Sequence, residues 1–119
     1  MKQRMVKISA ATVAFFLCTA IWALSEDQKI NLLYQEIRNT RAVFIRNGVE
    51  YDAETAVSHL KRKRDYAGDR IKTARQFIEY LATKSSVTGI PYKIRFPDGR
   101  EVESATFLLQ TLERIESQK

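Results

Sequence analysis

The chain is poor in residues that carry chemistry on their own. Among its 119 residues there is one histidine, His59, and one cysteine, Cys18. Cys18 sits within the first 25 residues, so removal of that segment would leave no disulfide and no thiolate chemistry. One histidine without cysteine leaves only carboxylates as metal ligands. No Asp/Glu spacing matches a calcium loop, so neither a metal nor a cofactor is expected. The Gly-x-Ser-x-Gly elbow of serine hydrolases is missing too, and the sequence assigns no catalytic residue.

Acidic residues are absent from the first 25 positions. There, Lys2, Arg4 and Lys7 precede an uncharged run from Ile8 to Leu24, and Glu26 and Asp27 follow, the order of a secretory signal. The expected division is a cleaved signal peptide over residues 1–25 and a single α+β domain over residues 26–119. Cleavage is favoured after Ser25, with Ala20 and Ala23 as alternatives. Leu17 before Cys18 argues against a lipoprotein site, which needs a small residue there. The expected location is periplasmic. The alternative is an inner-membrane anchor formed by residues 8–24, because the run approaches the length of a bilayer span.

The composition, 45% hydrophobic and 29% charged, fits one globular domain. All 14 acidic residues and all but three of the 20 basic ones follow the signal, which lowers the formal charge from +6 to +3. So mild a balance makes nucleic acid an unexpected partner. A membrane is expected only through the signal segment, if it is uncleaved.

Apolar spacing predicts four helices. Ile30, Leu33, Tyr34 and Ile37 form one face of a first helix, with Ser25 and Gln28 as a capping box that cleavage after Ser25 would remove. Asp52 caps a second helix with the stripe Ala53, Ala56, Val57, Leu60 and Ala67, ended by Gly68. Thr73 and Gln76 begin a third, carrying Ala74, Phe77, Ile78 and Leu81. Ser104 is expected to cap a fourth, with Ala105, Leu108, Leu109, Leu112 and Ile115 inward.

Two hairpins punctuate these helices. Val43 to Asp52 is read with a three-residue loop, Arg46-Asn47-Gly48, pairing Ile45 with Val49 and Val43 with Tyr51. Tyr92 to Val102 is read with the loop Pro97-Asp98-Gly99, pairing Ile94 with Val102, Arg95 with Glu101 and Lys93 with Glu103. Hairpin-then-helix thus occurs twice, as a weak internal echo. The fold class is α+β: two β-hairpins, read as one antiparallel sheet, packed against about four helices and preceded by a signal-peptide helix.

With these segments placed, Phe44, Arg46-Asn47-Gly48, Ala56, His59-Leu60 with Lys63, Arg70-Ile71 with Thr73-Ala74, Phe77-Ile78, and Ser85-Ser86 through Thr88-Gly89 to Pro91-Tyr92 form a recognisable set. On them the chain resembles the YfeK-like family of small exported bacterial proteins, a family of unknown function, from about Ile30 to Leu112. The resemblance implies a periplasmic location and a shared fold, and no activity. Because residues 26–119 lack cysteine, it carries over no thiol role.

His59, Lys63 and Tyr66 share a flank of the second helix, and the lysine would keep His59 neutral. A histidine bonding a loop carbonyl at the edge of the core is the plainer alternative. The run Lys61-Arg62-Lys63-Arg64 points in four directions, so it is either a solvated surface or part of an anion site. Ser85, Ser86 and Thr88 lie in a hydroxyl-rich loop suited to turn formation or ligand contact. The expected function is a small non-enzymatic binding or interaction module for an anionic or peptide-like ligand. Its candidate residues are Arg46, Asn47, His59, Lys63, Ser85, Ser86, Thr88 and Tyr92. An envelope protein, a peptide or a cell-wall fragment would suit it as partner. The rival is a small hydrolase using His59 with Ser85 or Ser86. Leu32, Phe44 and Phe107 fall off the core stripes and form a candidate interaction surface.

Overall fold

The structure, a computed structural model, describes residues 23–118. The expected signal peptide therefore lies, except for its last three residues, outside the described residues. Among the described residues no helix is long and apolar enough to cross a membrane.

Helix α1 (Glu26–Asn39) opens with the expected capping box: the Ser25 hydroxyl accepts the Gln28 N–H, and the Gln28 side chain accepts the Ser25 N–H. Its stripe Ile30, Leu33, Tyr34 and Ile37 is buried. Helix α2 (Ala53–Ala67) starts at Asp52, which accepts the Thr55 N–H, and stops at Gly68, whose φ of 56° suits glycine. Helix α3 (Ala74–Leu81) has the Thr73/Gln76 capping box. The Glu26 carboxylate accepts the Ala74 N–H at 2.8 Å, tying the starts of α1 and α3 together. Helix α4 (Ser104–Ser117) departs from expectation at its first turn. Glu103 holds the cap position without a side-chain bond, while Ser104 is the first helical residue, buried, with its N–H donated to the Tyr92 carbonyl. The short step from strand to helix leaves no residue between them to present a hydroxyl.

Strands β1 (Val43–Arg46), β2 (Val49–Tyr51), β3 (Lys93–Arg95) and β4 (Glu101–Glu103) form one antiparallel sheet in the order β2-β1-β3-β4. The second hairpin has the expected register, with Ile94 opposite Val102, Arg95 opposite Glu101 and Lys93 opposite Glu103.

The first hairpin does not have its expected register. Phe44 pairs with Tyr51, Ile45 with Glu50 and Arg46 with Val49, around a two-residue Asn47-Gly48 turn. Both turn residues have positive φ, 53° and 78°, as a type I′ turn requires, and asparagine tolerates that region better than most residues that carry a Cβ. The expected register was chosen by complementarity within the hairpin alone. In the sheet, β1 is an interior strand, and Phe44 also faces Ile94 of β3. Phe44, Tyr51, Ile94 and Val102 thus make the apolar face, and Glu50 falls on the other side, where it meets Arg95 at 2.8 Å. The internal echo weakens accordingly: Gly48 is second in a two-residue turn, Gly99 third in a three-residue loop.

Strand alternation carries Phe44 to the helix side of the sheet, where it is 7% exposed within the core cluster. It is not part of an exposed contact patch. Leu32 and Phe107 are partly buried against the same core, and Phe107 packs on Phe96 with ring centroids 5.7 Å apart. The three residues expected as an interaction surface are core and core margin instead.

Candidate functional site

The hydroxyl-rich loop and the first turn are bolted together. Ser85 is buried, and its Oγ accepts from Asn47 Nδ2 at 3.3 Å and from the Val87 and Thr88 N–H groups. Thr88 Oγ1 donates to Asn47 Oδ1 at 2.6 Å. The Ser85 N–H is donated to the Ile90 carbonyl, and the Gly89 N–H returns to the Ser85 carbonyl. Asn47, Ser85 and Thr88 therefore form a latch between hairpin and loop, with the hydroxyls spent on it.

Lys63 is also committed. Its ammonium donates to the Leu81 carbonyl at 2.8 Å and to the Tyr92 hydroxyl at 3.0 Å. It lies 5.1 Å from the Tyr92 ring centroid. Since it reaches the hydroxyl end of the ring, the hydrogen bond is the operative contact. Lys63 thus joins α2 to the end of α3 and to the start of the second hairpin.

What remains open lies between β1 and α2. Residues Thr55, His59 and Arg62, at i, i+4 and i+7, form the flank of α2 that faces it, with Ala56 and Leu60 beside them. Across from them stand Phe44 and Arg46, two residues apart on β1 and so on one face. Together with Tyr51 and Tyr92 they enclose a cavity of about 200 Å³. Arg46, His59 and Arg62 also border a shallower hollow of about 770 Å³, whose far side carries Tyr66, Arg70, Tyr80 and Ser86. No aspartate or glutamate lines either space.

The polar atoms here are unusual in having nothing to bond. Arg46 Nε and His59 Nε2 are buried without a hydrogen-bond partner. Neither the Arg46 nor the Arg62 side chain makes an ion pair among the described residues, whereas Arg38, Arg64, Arg95 and Arg114 each do. His59 packs edge-on against Tyr92, centroids 6.4 Å apart. Burial holds its pKa below the usual histidine value, and the charges of Arg46, Lys63 and Arg62 push it further down. At neutral pH the imidazole is neutral and the site's positive charge resides in the two guanidinium groups.

Of the eight residues predicted for the site, Arg46, His59 and Tyr92 meet at the cavity, and Lys63 and Ser86 join Arg46 and His59 at the hollow. Asn47, Ser85 and Thr88 support them from the latch. Sequence reasoning missed Arg62, which stood in a basic run, although its i+3 spacing from His59 is a sufficient signal. Tyr51 and Thr55 were missed because strand register and helix phase decide where they point. Among the described residues no hydrogen bond joins His59 to either serine, and no cluster of three metal-ligating side chains occurs.

No solved structure matches the chain. A family model described as a family of unknown function, DUF5329, matches residues 24–116. A protein of Salmonella typhimurium named Uncharacterized protein YfeK is 40% identical over 92 residues, covering 74% of this chain and 77% of that one. The residues that carry the resemblance thus lie in a domain shared along most of its length, and the chain belongs to this bacterial, YfeK-like family of unknown function.

Proposed function

We propose that this is an exported, periplasmic, non-enzymatic binding module that receives an anionic, peptide-like ligand between β1 and α2, on Arg46, His59 and Arg62. The observation that carries the reading is the pairing of two guanidinium groups that have no carboxylate partner with a buried His59 Nε2 that has no hydrogen-bond partner, all at one cavity. Guanidinium forks bind carboxylate and phosphate through paired charge-assisted hydrogen bonds, which a neutral imidazole can supplement. Export is supported by the charged start and uncharged run, and by the family match beginning at residue 24, the last residue of that run. The hydrolase alternative has no comparable support, because among the described residues neither Ser85 nor Ser86 is hydrogen-bonded to His59.

The test is a titration with sodium acetate and with inorganic phosphate at constant ionic strength, followed by amide shifts in ¹H–¹⁵N spectra. Saturable shifts centred on Arg46, His59 and Arg62, abolished in the Arg46→Gln/Arg62→Gln double variant, are expected. Small, non-saturating shifts spread over the surface would refute the site.

A further inference from the structure

The two spaces at the site differ in a way that restricts the ligand. The cavity is walled by Phe44, Tyr51, Ala56, Leu60 and Tyr92, with Arg46 and Arg62 at its margin. At about 200 Å³ it exceeds the ~150 Å³ that suffices for a benzene ring, and falls short of the ~300 Å³ at which pockets for larger ligands begin. One large apolar side chain fits it.

The guanidinium of Arg46 and the ring of Phe44 start from positions two residues apart on one strand face, about 7 Å along the strand. An acid and an apolar group must therefore be received side by side. An α-carboxylate and its own side chain meet that requirement, since both leave the same carbon.

The charge pattern decides what lies on the third bond of that carbon. A free amino acid brings an α-ammonium, which needs a carboxylate or a ring of carbonyl acceptors. Neither space is lined by an aspartate or glutamate, and four cations, Arg46, Arg62, Lys63 and Arg70, border the hollow that the rest of the ligand would enter. An amide at that position is neutral and tolerated. The hollow also presents Tyr66, 88% exposed, and Tyr80, 62% exposed, as faces on which a chain could lie.

Resting on the reading of this site as an anion site, we infer that it binds the free carboxyl terminus of a peptide or protein ending in a large apolar residue. The last side chain fills the cavity, Arg46 and Arg62 hold the terminal carboxylate, His59 Nε2 hydrogen-bonds it, and the preceding residues run out across Tyr66 and Tyr80.

The experiment uses the unmodified protein and a set of ligands, so that it does not depend on how any variant folds. N-acetyl-Gly-Gly-Phe with a free carboxyl group, its C-terminal amide, N-acetyl-Gly-Gly-Gly acid, free phenylalanine and a long-chain fatty acid are titrated by calorimetry and by amide shifts. Expected is binding of the acetylated Phe acid at least tenfold tighter than each of the other four, with shifts at Phe44, Arg46, His59 and Leu60. Equal affinity for acid and amide would overturn the anion site itself. Equal affinity for the Phe and Gly acids would leave the anion site standing and overturn the apolar C-terminal residue. Free phenylalanine binding as well as the acetylated peptide would overturn the peptide assignment, and preference for the fatty acid would overturn the size argument.

Discussion

Replacing Asn47 separates two contributions that the structure combines in one residue. Asn47 holds a φ of 53° in the first turn, and its side chain joins Ser85 and Thr88 across 38 and 41 residues of sequence. Alanine loses both features. Placing a Cβ-bearing residue other than asparagine in the left-handed region costs about 1 kcal/mol. The two hydrogen bonds contribute about 0.5 to 1 kcal/mol each at a partly solvated site, the 3.3 Å bond to Ser85 at the lower end. Asn47→Ala should therefore destabilise the fold by about 2 to 3 kcal/mol. Asn47→Gly keeps the turn and loses only the latch, so it should cost about 1 to 1.5 kcal/mol, including a few tenths from the freer unfolded chain.

Urea unfolding at neutral pH reads both. With an m-value of about 1.5 kcal/mol/M, the alanine variant should unfold about 1.3 to 2 M earlier and the glycine variant about 0.7 to 1 M earlier. Equal midpoints for alanine and glycine would show that the left-handed turn carries no cost. A glycine variant as stable as the parent would show that the latch contributes nothing, and the placement of the loop against the hairpin would need another cause.

Lys63 offers a second stability test. With its ammonium on the Leu81 carbonyl and the Tyr92 hydroxyl, Lys63→Met should destabilise by about 1 to 3 kcal/mol, and an unaltered urea midpoint would show a merely solvated lysine. The third test is pH. His59 has its folded pKa depressed below 6.5 by burial and by Arg46, so between the folded value and 6.5 the unfolded chain binds more protons. Stability should fall as the pH drops through about 6.5, and His59→Gln should flatten that dependence between pH 5.5 and 7.5, above the titration of most carboxylates. An unchanged slope in the variant would place the effect elsewhere.

The helices were legible because their signals are local. The buried faces of α1 and α3 are the stripes the spacing predicts, and the caps at Ser25, Asp52 and Thr73 form as the side chains suggest. The second hairpin was legible for a related reason: apolar and charge pairing favour one register. The first hairpin was not, because two registers satisfy it internally and the choice is made by β3, 50 residues further on, through the pairing of Phe44 with Ile94. That one slip also inverted the expected role of Phe44 and put Arg46 in the loop, whereas the true register sets it in β1 on the helix side. The site was half legible in the same sense. Helix phase collects Thr55, His59 and Arg62, whereas which of Lys63, Ser85 and Thr88 remain free depends on bonds to Leu81, Tyr92 and Asn47 that no local pattern encodes.

The polar atoms without partners bear on why the site exists. Among the described residues, three buried side-chain atoms lack a hydrogen bond: Tyr34 Oη, Arg46 Nε and His59 Nε2. Tyr34 has a packing reason for its position, since its ring meets Phe77 edge-on with centroids 5.5 Å apart and α1 needs that bulk in its stripe. His59 meets the Tyr92 ring edge-on at the longer distance of 6.4 Å, a contact that does not need its nitrogens, and Arg46 has no such aromatic contact among the described residues. A leucine at either position would satisfy the surrounding apolar wall at no desolvation cost, which for a buried polar group without a partner is about 1 to 3 kcal/mol. The two lie at the same cavity, and the latch at Asn47 fixes the residue immediately after Arg46. The chain thus holds a guanidinium and an imidazole in place against their hydration. Their unsatisfied bonds are the ones a bound carboxylate would complete, and local conflicts of this kind in an otherwise consistent fold concentrate at functional sites.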